Sequence, residues 1–456
     1  MKTRLSSGLL GAFFFLCLTL GGASAAGLLA NVFLQFLAVG MIFIALILRP
    51  SAPPTRAGTR LLILLGLTVA VVAVQLIPLP PGVWTSLPGR EPVARGFELL
   101  GQPLPWLSLS LAPHDTIASG LWLLPAIAVL LWVLRHGIRE SWIAWVLIAT
   151  AILGVLIGAM QITGGDDSPW YFYSNTNYGV NVGFFANANH MATFLLAAVP
   201  FLGALYMTLK GSGRSTQKSA GLAAILGGFY AVLVVGAAIN GSLAGLGLMI
   251  PVTGATILLM LRGRKIPLWA IALVLLFTLG SVAAVFSDQF DNNLISDEAQ
   301  TSVMSRYTTF TTSMAAATAN LPFGSGLGTF QAIYRTFEDP EQVTDTYINH
   351  VHSDWIELFL ETGLLGAAVV ALFLFWWARR VFAIWRAAEP DFFARAATIA
   401  TAAIMAHSVV DYPLRTVAVS VIFALCCAIM AGRGSAPARE SQRAAAKRPA
   451  RHLEAD

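Results

Sequence analysis

Apolar residues do not alternate with polar ones along this chain. They come in unbroken blocks of about 17 to 25 residues, the length an α-helix needs to cross the hydrocarbon of a bilayer. About twelve such blocks are read, over residues 8–25, 27–48, 61–79, 117–134, 142–161, 190–209, 219–239, 243–261, 266–286, 355–378, 396–410 and 414–431. A helix satisfies its own backbone hydrogen bonds, so the pattern predicts an all-α polytopic membrane protein of about 12 transmembrane helices. Short polar connectors separate most blocks, but residues 80–116, 162–189 and 287–354 are too long to be mere links. The third has aromatic residues, a helix-like stretch over 301–318 and a glycine cluster, which predicts a large folded loop. Three regions follow: 1–161, N-terminal helices with a loop near 80–116; 162–431, a core that includes the loop 287–354; and 432–456, a basic tail without periodicity. The tail is expected to be disordered against anionic headgroups rather than to bind nucleic acid.

Composition agrees: 57% of the residues are hydrophobic and 11% charged, against about 25% charged in an average soluble protein. Cys17, Cys426 and Cys427 all lie within apolar blocks and are not spaced like a zinc site or a disulfide framework. The charges are sorted by side. With Lys2 and Arg4 in the cytoplasm, alternate connectors and the tail place all of the 28 basic residues inside except Arg90, Arg95, Arg306, Arg335 and Arg415, as the positive-inside rule requires. Both termini are then cytoplasmic, and the net charge of +5 is chiefly a topology signal. The start of the chain, Lys2 to Arg4 before an apolar block ending in Gly21-Gly22-Ala23-Ser24-Ala25-Ala26, imitates a cleavable secretory signal. The charge sorting favours a retained first helix.

The first nine blocks contain no Asp, Glu, Lys or Arg, which counts against an ion-coupled transporter or pump. Polar chemistry gathers at the predicted outer face, most densely in Asn349-His350-Val351-His352-Ser353-Asp354-Trp355-Ile356-Glu357 and on to Glu361 and Gly363. Asp354 and Glu357 have the spacing of a capping box, with acids where a helix dipole favours them. His352 would sit just before that helix, where the dipole disfavours the imidazolium and leaves a neutral ring able to take a proton. Glu361 lies half a turn away from His352 on a continuous helix and is expected to bond to a neighbouring helix. Arg306, in an otherwise uncharged stretch on the acid-rich side, needs a carboxylate partner or an anionic ligand, and its planar fork suits phosphate. The run Gly324-Ser325-Gly326-Leu327-Gly328-Thr329 forms either a tight turn or a nest of backbone donors. Around the turn Asp411-Tyr412-Pro413, Asp411 is within reach of His407 on one side and Arg415 on the other. Asn189 is read as an N-cap of the sixth block.

His352-Ser353 followed after nine residues by Gly363-Leu364-Leu365-Gly366 resembles the signature of the O-antigen ligase and O-antigen polymerase superfamily. The resemblance extends to Arg306, to Pro322 through Phe330, to Asn187 through Ala192 and to His407 through Arg415, in that family's order. It implies a metal-independent, cofactor-free glycosyltransferase of the C-type fold in the bacterial inner membrane, multi-pass and active at the periplasmic face. The implied donor is a glycan linked through diphosphate to undecaprenol, and the acceptor is lipid A-core or another lipid-linked glycan, for surface polysaccharide such as O-antigen, capsule or exopolysaccharide. It also implies that His352 is catalytic and that Arg306 binds diphosphate, with Asn189, Glu361, His407 and Asp411 supporting. Many members carry Ser-Arg where this chain has Gly241-Ser242-Leu243, and Arg415 and Arg335 are the candidates to replace that arginine. A lipid-linked oligosaccharide flippase or other multi-pass transporter is the alternative; it predicts a cationic central cavity or inverted repeats, and the sequence displays neither.

Overall fold

A computed structural model describes residues 2–25, 27–210, 216–261, 267–284, 297–343 and 348–432. The basic tail after Gly432 lies outside the described residues. In chain order the elements are α1 (Lys2–Leu20), α2 (Leu29–Ile47), α3 (Arg56–Gln75), β1 (Pro78–Leu79), α4 (Pro81–Trp84), α5 (Glu91–Leu99), β2 (Leu107–Ser108), α6 (Pro113–Trp122), α7 (Leu124–His136), α8 (Glu140–Gly164), α9 (Ala188–Lys210) and α10 (Thr216–Ala238). They continue with α11 (Leu243–Met260), α12 (Leu268–Ala284), α13 (Asp297–Ala319), α14 (Phe330–Phe337), α15 (Asp354–Trp385), α16 (Phe392–His407) and α17 (Val417–Ala431). Among the described residues eight helical spans, α6 and α7 together counting as one over Pro113–His136, are long and apolar enough to cross a membrane, and α12, α16, α17 and the apolar part of α1 are shorter.

The helices differ in how much of their surface they bury, and composition explains why. α9 carries no charge before Lys210 and is apolar all round; 83% of its spanning window is buried, against 17% for α3. α9 is therefore the central helix, packed against α8, α10, α11 and α16. Small residues make the close approaches, with Ala197, Ala198 and Ala204 of α9 buried as are Ala396, Ala397, Ala400 and Ala403 of α16. α1 belongs to the same core through Leu10, Phe13, Phe14, Cys17 and Leu18. The Gly21-Gly22 pair that imitates a processing site is a structural joint: Gly21 C=O accepts from Ala418 N–H at 3.0 Å, and Gly22 C=O from Ala186 N–H at 3.2 Å.

The helix ends segregate. Arg135 and Arg380 bond to the last carbonyls of α2 and α17 at one end of the bundle. The opposite end gathers the start of α9, the end of α16, the starts of α15 and α17 and the end of α3, together with the segments 76–112 and 320–329. There β1 and β2 form a short antiparallel pair, Pro78 opposite Ser108, and Leu111 N–H bonds to Ser325 C=O at 2.8 Å.

Candidate active site

α15 is two helices. Gly363 has φ 56° and ψ −147°, a conformation only glycine adopts without cost, and it separates a first segment, residues 354–362, from the long apolar remainder. The break lets Leu364 N–H bond to Pro322 C=O at 2.8 Å, so the glycine-rich segment docks directly onto the kink. Three glycines of that segment, Gly324, Gly326 and Gly328, also have positive φ. A Cβ on Gly324 would lie 2.6 Å from the Glu361 carbonyl oxygen. Gly324→Ala is accordingly expected to cost about 2 kcal/mol or more, through overlap and a left-handed backbone, read as a lowered Tm of the purified protein.

The docked segment turns its backbone amides onto other groups of the protein itself. Gly328 N–H donates to Glu361 Oε1 at 2.9 Å. Gly326 N–H donates to Glu361 C=O at 2.9 Å and Ser325 N–H to Leu360 C=O at 3.1 Å. Gln75 at the end of α3 fastens both sides: its Nε2 donates to Glu361 C=O at 2.8 Å and its Oε1 accepts from Leu327 N–H at 2.9 Å.

The other oxygen of Glu361 takes Arg415. Arg415 Nη2 lies 2.9 Å from Glu361 Oε2, Nη1 3.2 Å from Glu357 Oε1 and Nε 3.8 Å from Asp354 Oδ1. Burial alone would lower the proton affinity of this guanidinium, but Glu357, Glu361 and Asp354 together raise it above the usual arginine range. Of the two pairings open in the sequence for Asp411, the one with Arg415 does not form, because its fork is occupied by three acids of α15, while His407 does lie near Asp411. Asp354 also accepts from Ser408 Oγ at 2.8 Å and Leu414 N–H at 3.1 Å. Glu357 accepts from Val351 N–H at 3.0 Å, and its Oε1 lies 2.8 Å from His350 Nδ1. The capping-box spacing therefore does different work: Ser353 at the N-cap makes no side-chain cap bond, and both acids face inward.

Beside this ion cluster, Asp411 is fully buried and holds histidines. His352 Nδ1 lies 3.5 Å from Asp411 Oδ1, and His190 Nε2 lies 3.5 Å from Oδ2. Burial pushes the Asp411 carboxyl up, but His190, His352 and His407 outweigh it and hold it well below the usual carboxylate range. Tyr412 packs against three imidazoles, His350 at 4.3 Å, His190 at 4.8 Å and His352 at 5.0 Å between ring centroids. Its hydroxyl is 3.4 Å from the Asn349 amide nitrogen and 3.5 Å from that of Asn187. His407 Nδ1 is 2.7 Å from Thr193 Oγ1 of α9. His352 is the most accessible of the histidines that contact Asp411 or Tyr412, with 30% of its side chain exposed against 13% for His350 and 1% for His190. It is also the only non-glycine residue with positive φ (60°) among the described residues, a strained conformation of the kind found at functional sites. With Nδ1 turned to a buried carboxylate, its Nε2 is the nitrogen left for a substrate, the arrangement that fixes tautomer and orientation in a general base.

The structure thus brings His352, Asp411, His407, Glu361 and Arg415 into one end of the bundle. The cap of α9 is Asn187, whose Oδ1 accepts from Asn189 N–H at 2.8 Å; Asn189 is the second residue of the helix, not its cap. Arg335 lies on an exposed face of α14. Arg306 is on α13, but its side chain lies outside the described residues. Ser242 occupies the position next to the absent arginine and caps α11, accepting from Gly245 N–H at 3.1 Å, while Asn240 ties α10 to Ala188 C=O at 2.8 Å. Sequence reasoning missed Gln75 and His190. Nothing in the local pattern marks Gln75; His190 could have been found as the one histidine of α9, a helix with no Asp, Glu, Lys or Arg before Lys210.

The apolar helices are those of an α-helical polytopic membrane protein, and one end of the bundle is polar and rich in histidine and carboxylate. Residues 228–371, from α10 through the first part of α15, match the family model described as O-antigen ligase, and the match supports the O-antigen ligase superfamily for this part of the chain. The match includes His352, Glu361, Arg306 and Arg335 and ends before His407, Asp411 and Arg415; His190 precedes it. A comparison with curated proteins finds no significant match. The domain and the apolar helices together support a membrane glycan-transfer or ligase-type function.

Proposed function

We propose that the protein transfers a glycan from undecaprenyl diphosphate to a hydroxyl acceptor at the periplasmic face of the bacterial inner membrane, as a ligase to lipid A-core or as a polymerase to another lipid-linked glycan. The observation that carries this reading is the His352–Asp411 pair, a partly exposed imidazole backed by a buried carboxylate at the end of an apolar bundle, with His352 inside the stretch that matches the O-antigen ligase model. The acceptor oxygen attacks the anomeric carbon while the bond from that carbon to the diphosphate oxygen breaks. His352 takes the hydroxyl proton and the diphosphate leaves with the bonding electrons. The leaving group is already activated, so the protein's task is to position it and neutralise its developing charge. Arg306 and Arg335, on the two helices of the segment before His352, are the cations proposed for it. Arg415, held by three carboxylates, is instead a positioning residue that fixes the start of α15.

The test uses the full chain in vesicles with an undecaprenyl-diphosphate glycan and a candidate acceptor. Joined glycan together with released undecaprenyl diphosphate is expected. Movement of the intact lipid-linked glycan across the bilayer without transfer would instead support the flippase reading. Arg306→Ala, at unchanged membrane abundance, is expected to slow transfer by about 10²-fold, the usual effect of removing one donor to a developing charge.

A further inference from the structure

His190 is not used by the reaction described above. It sits in the first turn of α9 with 1% of its side chain exposed, and its Nε2 faces the oxygen of Asp411 that His352 does not. No backbone or hydroxyl group donates to either Asp411 oxygen, and neither has a conventional hydrogen bond among the described residues. A carboxylate taken out of water needs its charge compensated by what surrounds it. Those surroundings are His190 from α9, His407 from the end of α16, His352 from the segment before α15 and Tyr412 from its own turn. His350, from that same segment, turns to Glu357, and Arg415 turns to the acids of α15. The two rings at 3.5 Å therefore divide one carboxylate between them.

We propose that His190 is a positioning residue: it engages the second oxygen of Asp411 and so sets how much of that charge remains to support His352. The inference rests on the transfer reading only for its catalytic meaning, and its geometry stands apart from it. With the ring N–H at position 190 removed, Asp411 interacts with His352 alone, and His352 holds its proton more tightly. A glutamine there keeps an N–H at about the same reach and leaves the division intact.

The experiment measures carbethoxylation of His352 by diethyl pyrocarbonate against pH in the purified full chain, read by mass spectrometry of the peptide containing it. The reagent attacks the neutral ring, so tighter proton binding moves the onset of modification to higher pH. His190→Met is expected to raise the midpoint by about one pH unit, the scale of a nearby-charge effect. His190→Gln should stay near the wild-type midpoint. His190→Phe, which keeps the ring volume, serves as a second apolar variant if the methionine does not accumulate. Unchanged midpoints in the apolar variants, or equal shifts in these and in glutamine, would overturn the proposal. The same variants are assayed for transfer: a moved midpoint without a matching move in the acid limb of kcat/KM leaves His190 in its role and removes His352 from that of base.

Discussion

His352→Asn is expected to leave the protein folded and membrane-inserted while reducing glycan transfer by about 10²- to 10⁴-fold, the range of a general base. Asparagine is the conservative choice because position 352 has φ 60°, and asparagine enters the left-handed region more readily than alanine. The ring is partly exposed and makes no hydrogen bond that closes the core, so its loss removes chemistry rather than packing. Asp411→Asn should fall in the same direction by a different route: the amide leaves the His352 ring without a negative partner, and the imidazolium formed during transfer is no longer stabilised. Transfer by both variants at wild-type rates, with equal membrane abundance, would sink the assignment of the site.

Arg415→Met is expected to act on stability. Three acids, Asp354, Glu357 and Glu361, are arranged around the guanidinium, and the side chains of the two glutamates are fully buried. Removing one partner of a buried ion cluster costs about 3–5 kcal/mol, because the remaining charge has neither water nor counter-ion. The folded fraction in membranes and the Tm of the purified protein should both drop. Arg415→Lys should recover only part of the loss, since a compact ammonium cannot address three carboxylates as a planar fork does. Adding Glu361→Gln to Arg415→Met should restore some stability, a non-additivity expected of groups in one network. A methionine variant as stable as wild type would mean that Arg415 is free for other work, including a phosphate.

The fold was legible because membrane burial writes itself into long apolar blocks, and each predicted block carries a helix. The length of α12, α16 and α17 was less so: each is shorter than a full span by the measure of its apolar window, and their boundaries depend on caps such as Asp391 and Thr416 whose partners lie only three residues away. The site was legible as a set of residues and not as a set of pairs. Spacing along a helix reports neighbours three and four residues apart, whereas Arg415 reaches back 54 residues to Glu361 and Gln75 bonds 286 residues ahead to the same glutamate. The glycine run illustrates the limit well. Its sequence leaves a tight turn and a nest of donors both open, and only the kink at Gly363 brings Glu361 against the Gly328 amide.

That internal carboxylate has a kinetic meaning for this end of the bundle. In loops that wait for a ligand's anion, the backbone becomes ordered when the ligand arrives and part of the binding energy is consumed in ordering it. Here the amides of Ser325, Gly326, Leu327 and Gly328 are already taken, by the Leu360 and Glu361 carbonyls, the Gln75 side chain and the Glu361 carboxylate, so the segment is held by the protein itself. Under the proposed function, encounter with a large lipid-linked substrate would then need no local folding of the wall formed by Gln75, Glu361 and the glycine segment.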